Sequence, residues 1–235
     1  MTKKLFLAVL LVLGLCITAQ AEEAKPLQLA VLNPFQLVPA DQSISGLSLN
    51  LIYVVNKNVS GISLGSGINS ATGDVKGIEW GLGNWVDGLF NGWQGGLLNH
   101  TGGRFVGLQS GIVNVTKGDF SGIQGGLVNW AEKVVHGVKL GLFNYSRDRF
   151  IGLQLGLLNV CEGQFSGLDL GVVNYVGGEY TGLQAGVINY AAKMHGLQFG
   201  LINSTKSLDG LQIGLGNYNG DKKPMEFMVL VNWAY

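Results

Sequence analysis

Residues 152–159 read GLQLGLLN, residues 182–189 read GLQAGVIN and residues 196–203 read GLQFGLIN. The shared pattern is Gly, an aliphatic residue or Trp, two variable residues, Gly, an aliphatic residue, one variable residue and Asn. It starts at Gly77 and returns every fifteen residues at Gly92, Gly107, Gly122, Gly137, Gly152, Gly167 and Gly182, then every fourteen at Gly196 and Gly210. The closing asparagines keep step: Asn84, Asn99, Asn114, Asn129, Asn144, Asn159, Asn174, Asn189, Asn203 and Asn217. A fixed period of this kind constrains the fold before any single element does. Weaker copies begin at Gly46 and at Gly61, the second displaced by one residue near Asn69. The stretches PLQLAVLN (26–33) and MEFMVLVN (225–232) match with the glycines replaced. About 14 units therefore fill one β-repeat domain over residues 22–235.

Units such as GLQLGLLN, GLQAGVIN and GLQFGLIN resemble those of an uncharacterised bacterial surface-repeat family defined by G-L-Q-x-G-L-x-N. The resemblance runs from residue 26 to residue 235 and implies an exported, envelope-associated protein. It implies no catalytic residues.

Let the first Gly of a unit be position 1 and its Asn position 8. Positions 2, 4 and 6 are mostly apolar, and position 3 is polar: Glu79, Gln94, Gln109, Gln124, Lys139, Gln154, Asp169, Gln184, Gln198 and Gln212. Such alternation describes a strand with two unlike faces. Glycine at two positions in eight argues against a helix, where each costs about 1 kcal/mol relative to Ala. Seven residues separate one Asn from the next Gly. They often open and close on aromatics around turn-like tetrapeptides such as Thr-Gly-Gly-Arg (101–104) and Cys-Glu-Gly-Gln (161–164).

Two architectures satisfy this period. If each tetrapeptide is a hairpin loop, the chain is an antiparallel up-and-down β-barrel of about 14 short strands. Tyr145 then faces Phe150, and Tyr175 faces Tyr180. Closure removes two long edges, and the last strand alternates Phe227, Val229, Val231, Trp233 and Tyr235, like an outer-membrane assembly signal. If each unit is instead one full coil, the chain is a parallel β-solenoid that stacks Asn on Asn and Leu on Leu. The end units then fit poorly, because solenoids need caps. The apolar band, only about 10 Å tall, is thin for a membrane barrel and fits a closed structure with leucines inside. The barrel leads and the solenoid is the alternative.

Residues 1–21 read as a signal peptide, with Lys3 and Lys4, an apolar core from Leu5 to Thr18, and Ala19-Gln20-Ala21 as the cleavage site. Its removal takes away Cys16 and leaves Cys161 without an internal disulfide partner, and the remaining chain carries a net charge of −2. There are 38 glycines yet 47% of residues are apolar, so the glycine belongs to ordered structure. No basic patch points to nucleic acid. No phosphate loop, nucleophile elbow or metal-ligand spacing appears around His100, His136, His195 or Cys161. The Asn series is expected to satisfy backbone groups, and Cys161 to sit in a turn. The sequence thus leads to a non-enzymatic exported protein without cofactor, metal or catalytic residues. It is read as an outer-membrane barrel in contact with lipid or other cell-envelope components, with structural, adhesive or passive-pore character. The alternative is a soluble or surface-attached repeat scaffold for partner binding, placed at the cell surface or in the periplasm.

Overall fold

The structure, a computed structural model, describes residues 24–222 and 224–235, and every regular element among them is a β-strand. The signal peptide expected at 1–21 lies outside the described residues. Successive units pair in parallel, residue on like residue: Gly77 on Gly92, Glu79 on Gln94 and Asn84 on Asn99, then Gly92 on Gly107, Gln94 on Gln109 and Asn99 on Asn114. Each fifteen-residue unit is therefore one coil of a parallel β-solenoid, with neighbouring coils about 4.8 Å apart.

The coil starting at Phe120 shows the anatomy. A first arm, Phe120–Gly125, meets a corner at Gly126 and Leu127, a second arm follows at Val128–Ala131, and a turn at 132–134 leads to the next coil. Hydrogen bonding to neighbouring coils continues through the corner: Gly126 N–H donates to Leu140 O at 2.9 Å and Leu127 N–H to Ile112 O at 3.0 Å. It also continues at the turn, where Glu132 N–H donates to Thr116 O at 3.0 Å.

This pairing overturns the barrel. The tetrapeptides do not reverse the chain; they round a corner and continue the same winding. Tyr145 stacks on Trp130 rather than facing Phe150, and Phe150 stacks on Phe165 with ring centroids 4.7 Å apart. Tyr175 stacks on Tyr190, and Tyr180 on Phe165. Like meets like one coil away, which no hairpin register provides.

The interior is also the reverse of a leucine core. Positions 3, 8, 10 and 14 point inward, and 2, 4, 6, 7 and 9 point out. Position 14 stacks aromatic rings, with Phe90, Phe105 and Phe120 spaced 5.0 and 5.1 Å apart and nearly parallel. Position 10 is a column of small residues, including Thr116, Ala131, Ser146 and Cys161, all buried. Cys161 thus closes the second arm from inside rather than sitting in a turn.

The asparagines form an unbroken ladder from Asn69 to Asn217. Each Nδ2 donates to the Oδ1 of the next Asn at 2.8–2.9 Å. The same Nδ2 donates to the position-4 carbonyl of the next coil: Asn99 to Ser110 O, Asn114 to Gly125 O and Asn129 to Leu140 O, all at 2.8–2.9 Å. That carbonyl lies where the first arm bends into the corner and also accepts a backbone N–H, as Leu140 O does from Gly126, so the side chain is its second donor. The glutamines form a second ladder donating the opposite way, Gln109 Nε2 to Gln94 Oε1 and Gln124 Nε2 to Gln109 Oε1, each at 2.8 Å. Amides stacked at the coil spacing satisfy one another, which lets polar side chains fill a dry interior.

The degenerate end units are the caps that a solenoid needs. At the start, Lys25–Leu32 pairs in parallel with the first full coil, and Phe35–Gln36 folds back antiparallel over it. Gln28, buried at position 3 of this cap, exchanges two 2.9 Å hydrogen bonds with the Val38 backbone. At the end, Phe227–Ala234 runs antiparallel along Gly210–Tyr218, and Asn217 Nδ2 donates to Met228 O at 3.3 Å. The alternating aromatic terminus is therefore a cap strand, not the closing strand of an outer-membrane barrel.

Candidate functional site

Because polar residues line the inside, the apolar positions are left on the outside. From Gly77 to Tyr218, ten coils contribute fifty outward residues at positions 2, 4, 6, 7 and 9. Four are Gly, three are Ser or His, and 43 are apolar; none is Asp, Glu, Lys or Arg. Position 6 stands furthest out: Leu82 is 56% exposed, Leu127 50%, Leu157 54% and Leu215 62%. Position 7 continues the surface around the corner, with Leu98, Ile188 and Ile202 exposed. Nine coil intervals give this face a length of about 43 Å, and positions 2 to 6 alone span about 13 Å. That is about 550 Å² on one arm, in the range of the largest apolar patch on an ordinary monomer before the second arm is added.

Aromatics form the margin of the face at position 9. Trp85 stacks on His100 and Trp130 on Tyr145, each pair 3.8 Å between ring centroids. Trp85 Nε1 also donates to Asp87 Oδ1 at 2.9 Å, tying the margin to the polar turn. Surface charge on these coils is confined to that turn edge. Between residues 77 and 218 it carries seven acidic and seven basic side chains, among them Asp119, Lys133, Arg147 and Asp148. The molecule is amphipathic in cross-section, with one balanced charged edge and an uncharged apolar wrap.

The groups with chemical potential do not converge. Glu79, Lys139 and Asp169 occupy the inward position 3, four and two coils apart, or about 19 and 10 Å. Burial raises Glu79 to about 7, opposed by the hydrogen bond from Gln94. Burial raises Asp169 to about 7, opposed by hydrogen bonds from Gln184 and Asn159. Burial lowers Lys139 to about 7. The Cys161 thiol is pushed up to about 12 by burial and lies 3.4 Å from the carbonyl oxygens of Asp148 and Gln164, the reverse of an activated thiolate. His100 stacks in the margin, His136 is exposed, and His195 sits on the charged edge 3.1 Å from Asp209 and 3.6 Å from Glu179. Among the described residues no cluster of His, Cys, Asp or Glu could hold a metal ion. The outer leucines, which the membrane barrel would have turned to lipid and a soluble closed barrel inward, form the most extensive unpartnered surface.

The raised acids predict a pH dependence. A carboxyl held above its unfolded value binds its proton more tightly in the folded chain, so the contribution of these two groups to stability is greatest below about pH 4 and falls as pH rises to about 7. Glu79→Gln keeps an acceptor for Gln94 and removes one of these costs. Its unfolding free energy from urea titration should exceed wild type by about 2–3 kcal/mol at pH 8 and match it near pH 4. An equal gain at both pH values would show that ionisation of Glu79 is not the cause.

Comparison with protein-family models, with curated proteins and with solved structures finds no match to this chain.

Proposed function

We propose that the chain is an exported, non-enzymatic β-repeat scaffold of the cell envelope that works by docking its outer apolar face. One observation carries this reading: fifty outward positions over ten coils hold 43 apolar residues and no charge, while the interior Asn column bonds coil to coil. A surface of this size left in water drives association by the hydrophobic effect. The basic and apolar stretch over residues 1–21 supports export, and the resemblance of the repeat to a bacterial surface-repeat family supports an envelope address. The buried Cys161 and the dispersed Glu79, Lys139 and Asp169 support a role without catalysis. Turnover lost on one point substitution would overturn that part.

Leu127→Glu combined with Leu157→Glu tests the docking. Both side chains are at least half exposed and lie two coils apart, so the fold is expected to stand. After cell breakage the wild type should sediment with the envelope, resist extraction by high salt and be released by detergent. The double variant should move to the soluble fraction. A wild type recovered wholly as a soluble monomer without detergent would sink the reading.

A further inference from the structure

Resting on that docking reading, we infer that the occupant of the outer face is the hydrocarbon of a phospholipid leaflet, into which the corner at positions 6 and 7 dips.

Shape comes first. The apolar surface is not one flat side but a wrap: positions 2 and 4 on the first arm, 6 and 7 at the corner, and 9 on the second arm. A second copy of the chain packed sheet on sheet covers one arm and leaves the corner leucines in water, whereas a fluid acyl layer covers a convex ridge along its whole length. The ridge is continuous because the coils stack in register, Gly on Gly and Asn on Asn.

Backbone chemistry points the same way. In hydrocarbon every N–H and C=O needs an internal partner. Along the flank of a solenoid the coils supply those partners. The critical place is the corner, where the strand bends. There the Asn column donates to the position-4 carbonyl coil after coil, as Asn144 does to Leu155 O and Asn174 to Ala185 O at 2.8 Å. At the apex the N–H groups of positions 5, 6 and 7 are paired to neighbouring coils, Gly141 to Leu155 O and Leu142 and Phe143 to Leu127 O at 2.9–3.1 Å.

The margins fit an interface as well. Trp85, Trp130, Tyr145, Tyr175 and Tyr190 lie between the apolar wrap and the charged turns, the level at which amphipathic rings settle at a membrane surface. The seven basic and seven acidic side chains at the opposite edge leave no net attraction for anionic headgroups. Adsorption of this kind follows buried apolar area to a depth of about 5–10 Å, as for interfacial helices.

The test is flotation of the purified protein, expressed as the full chain with its own leader, with vesicles of phosphatidylcholine alone and of phosphatidylcholine mixed with phosphatidylglycerol. Tryptophan quenching by bromine on the acyl chains provides a second readout. The wild type should float equally with both vesicles at low and high salt and be quenched by the brominated chains. Leu127→Glu with Leu157→Glu should lower the partition coefficient by more than about a hundredfold while keeping the wild-type circular dichroism. Lys133→Glu, on the charged edge, should float as wild type. A wild type that stays unbound and unquenched but forms a dimer, made monomeric by the double variant, overturns the lipid assignment and leaves the docking face standing with a second copy as occupant. A wild type that neither floats nor self-associates overturns both.

Discussion

Gly122→Ala should leave the chain unable to hold its coils together, while Gly125→Ala, three residues on in the same coil, should cost nothing. Gly122 has φ +139°, a conformation that side-chain-bearing residues rarely adopt. A Cβ there would sit 1.9 Å from the carbonyl oxygen of Gly107 and 2.8 Å from its carbon. Both are backbone atoms of the coil below, so nothing flexible can yield. Lifting one coil to make room would break the hydrogen bonds on both arms and separate the Gln and Asn columns together. The expected loss exceeds about 4 kcal/mol, enough to remove most of the stability of an ordinary domain. Gly125 has no atom within 4 Å of its would-be Cβ. Alanine there meets open space on the outer face and restricts the unfolded chain, for a gain of up to about 0.5 kcal/mol. Urea unfolding followed by circular dichroism separates the two; a Gly122→Ala midpoint equal to wild type would show that the position-1 kink does not set the coil spacing.

That pair also shows what could be read in the sequence. The period, the strand character and the alternation of faces were all legible from the glycines and asparagines of the 77–218 region. The winding was not, because a tight tetrapeptide such as Thr-Lys-Gly-Asp (116–119) has the same composition whether it reverses a chain or turns it through a corner. A discriminating signal was present in the identity of each column. In a hairpin, position 1 faces position 7 and nothing requires both to repeat. In a parallel stack, the Gly carbonyl at position 1 meets the next Gly at position 1, and an amide at position 3 or 8 meets its own kind, so strict repetition has a physical cause. The same columns explain the inverted core. Hydropathy alone left Leu facing either lipid or a soluble core and did not put amides inside, but a narrow coil with a repeat of about 4.8 Å favours side chains that bond to copies of themselves. The irregular ends misled for a related reason. Loss of glycine in PLQLAVLN and MEFMVLVN looked like decay of a unit, and it is the mark of end strands, one of them running against the stack.

Lys139→Gln should raise stability most in acid and progressively less as the solution becomes alkaline. Lys139 interrupts the glutamine column: its Nζ turns aside to donate to Tyr145 O and to Ser146 Oγ at 2.5 and 2.9 Å. Gln124 Oε1 and both amide atoms of Gln154 are left buried without a hydrogen-bond partner. Restoring Gln lets residue 139 donate to Gln124 and accept from Gln154, completing the column and contributing about 1 kcal/mol per bond made at any pH. The larger effect is the charge. Burial lowers the ammonium from its ordinary 10.5 to about 7. Below pH 7 the lysine is protonated in both states and the folded chain bears the whole cost of desolvating it, about 5 kcal/mol. Between pH 7 and 10.5 the unfolded chain holds the proton and the folded chain does not, so wild-type stability climbs with pH. The gain from Lys139→Gln at pH 5.5 should therefore exceed its gain at pH 10 by about 4 kcal/mol. Glu79 and Asp169 titrate alike in both proteins and drop out of that difference. A gain of one size at both pH values would mean that Lys139 finds a way to keep its charge hydrated inside the coil, and that the interior is wetter than its stacked amides imply.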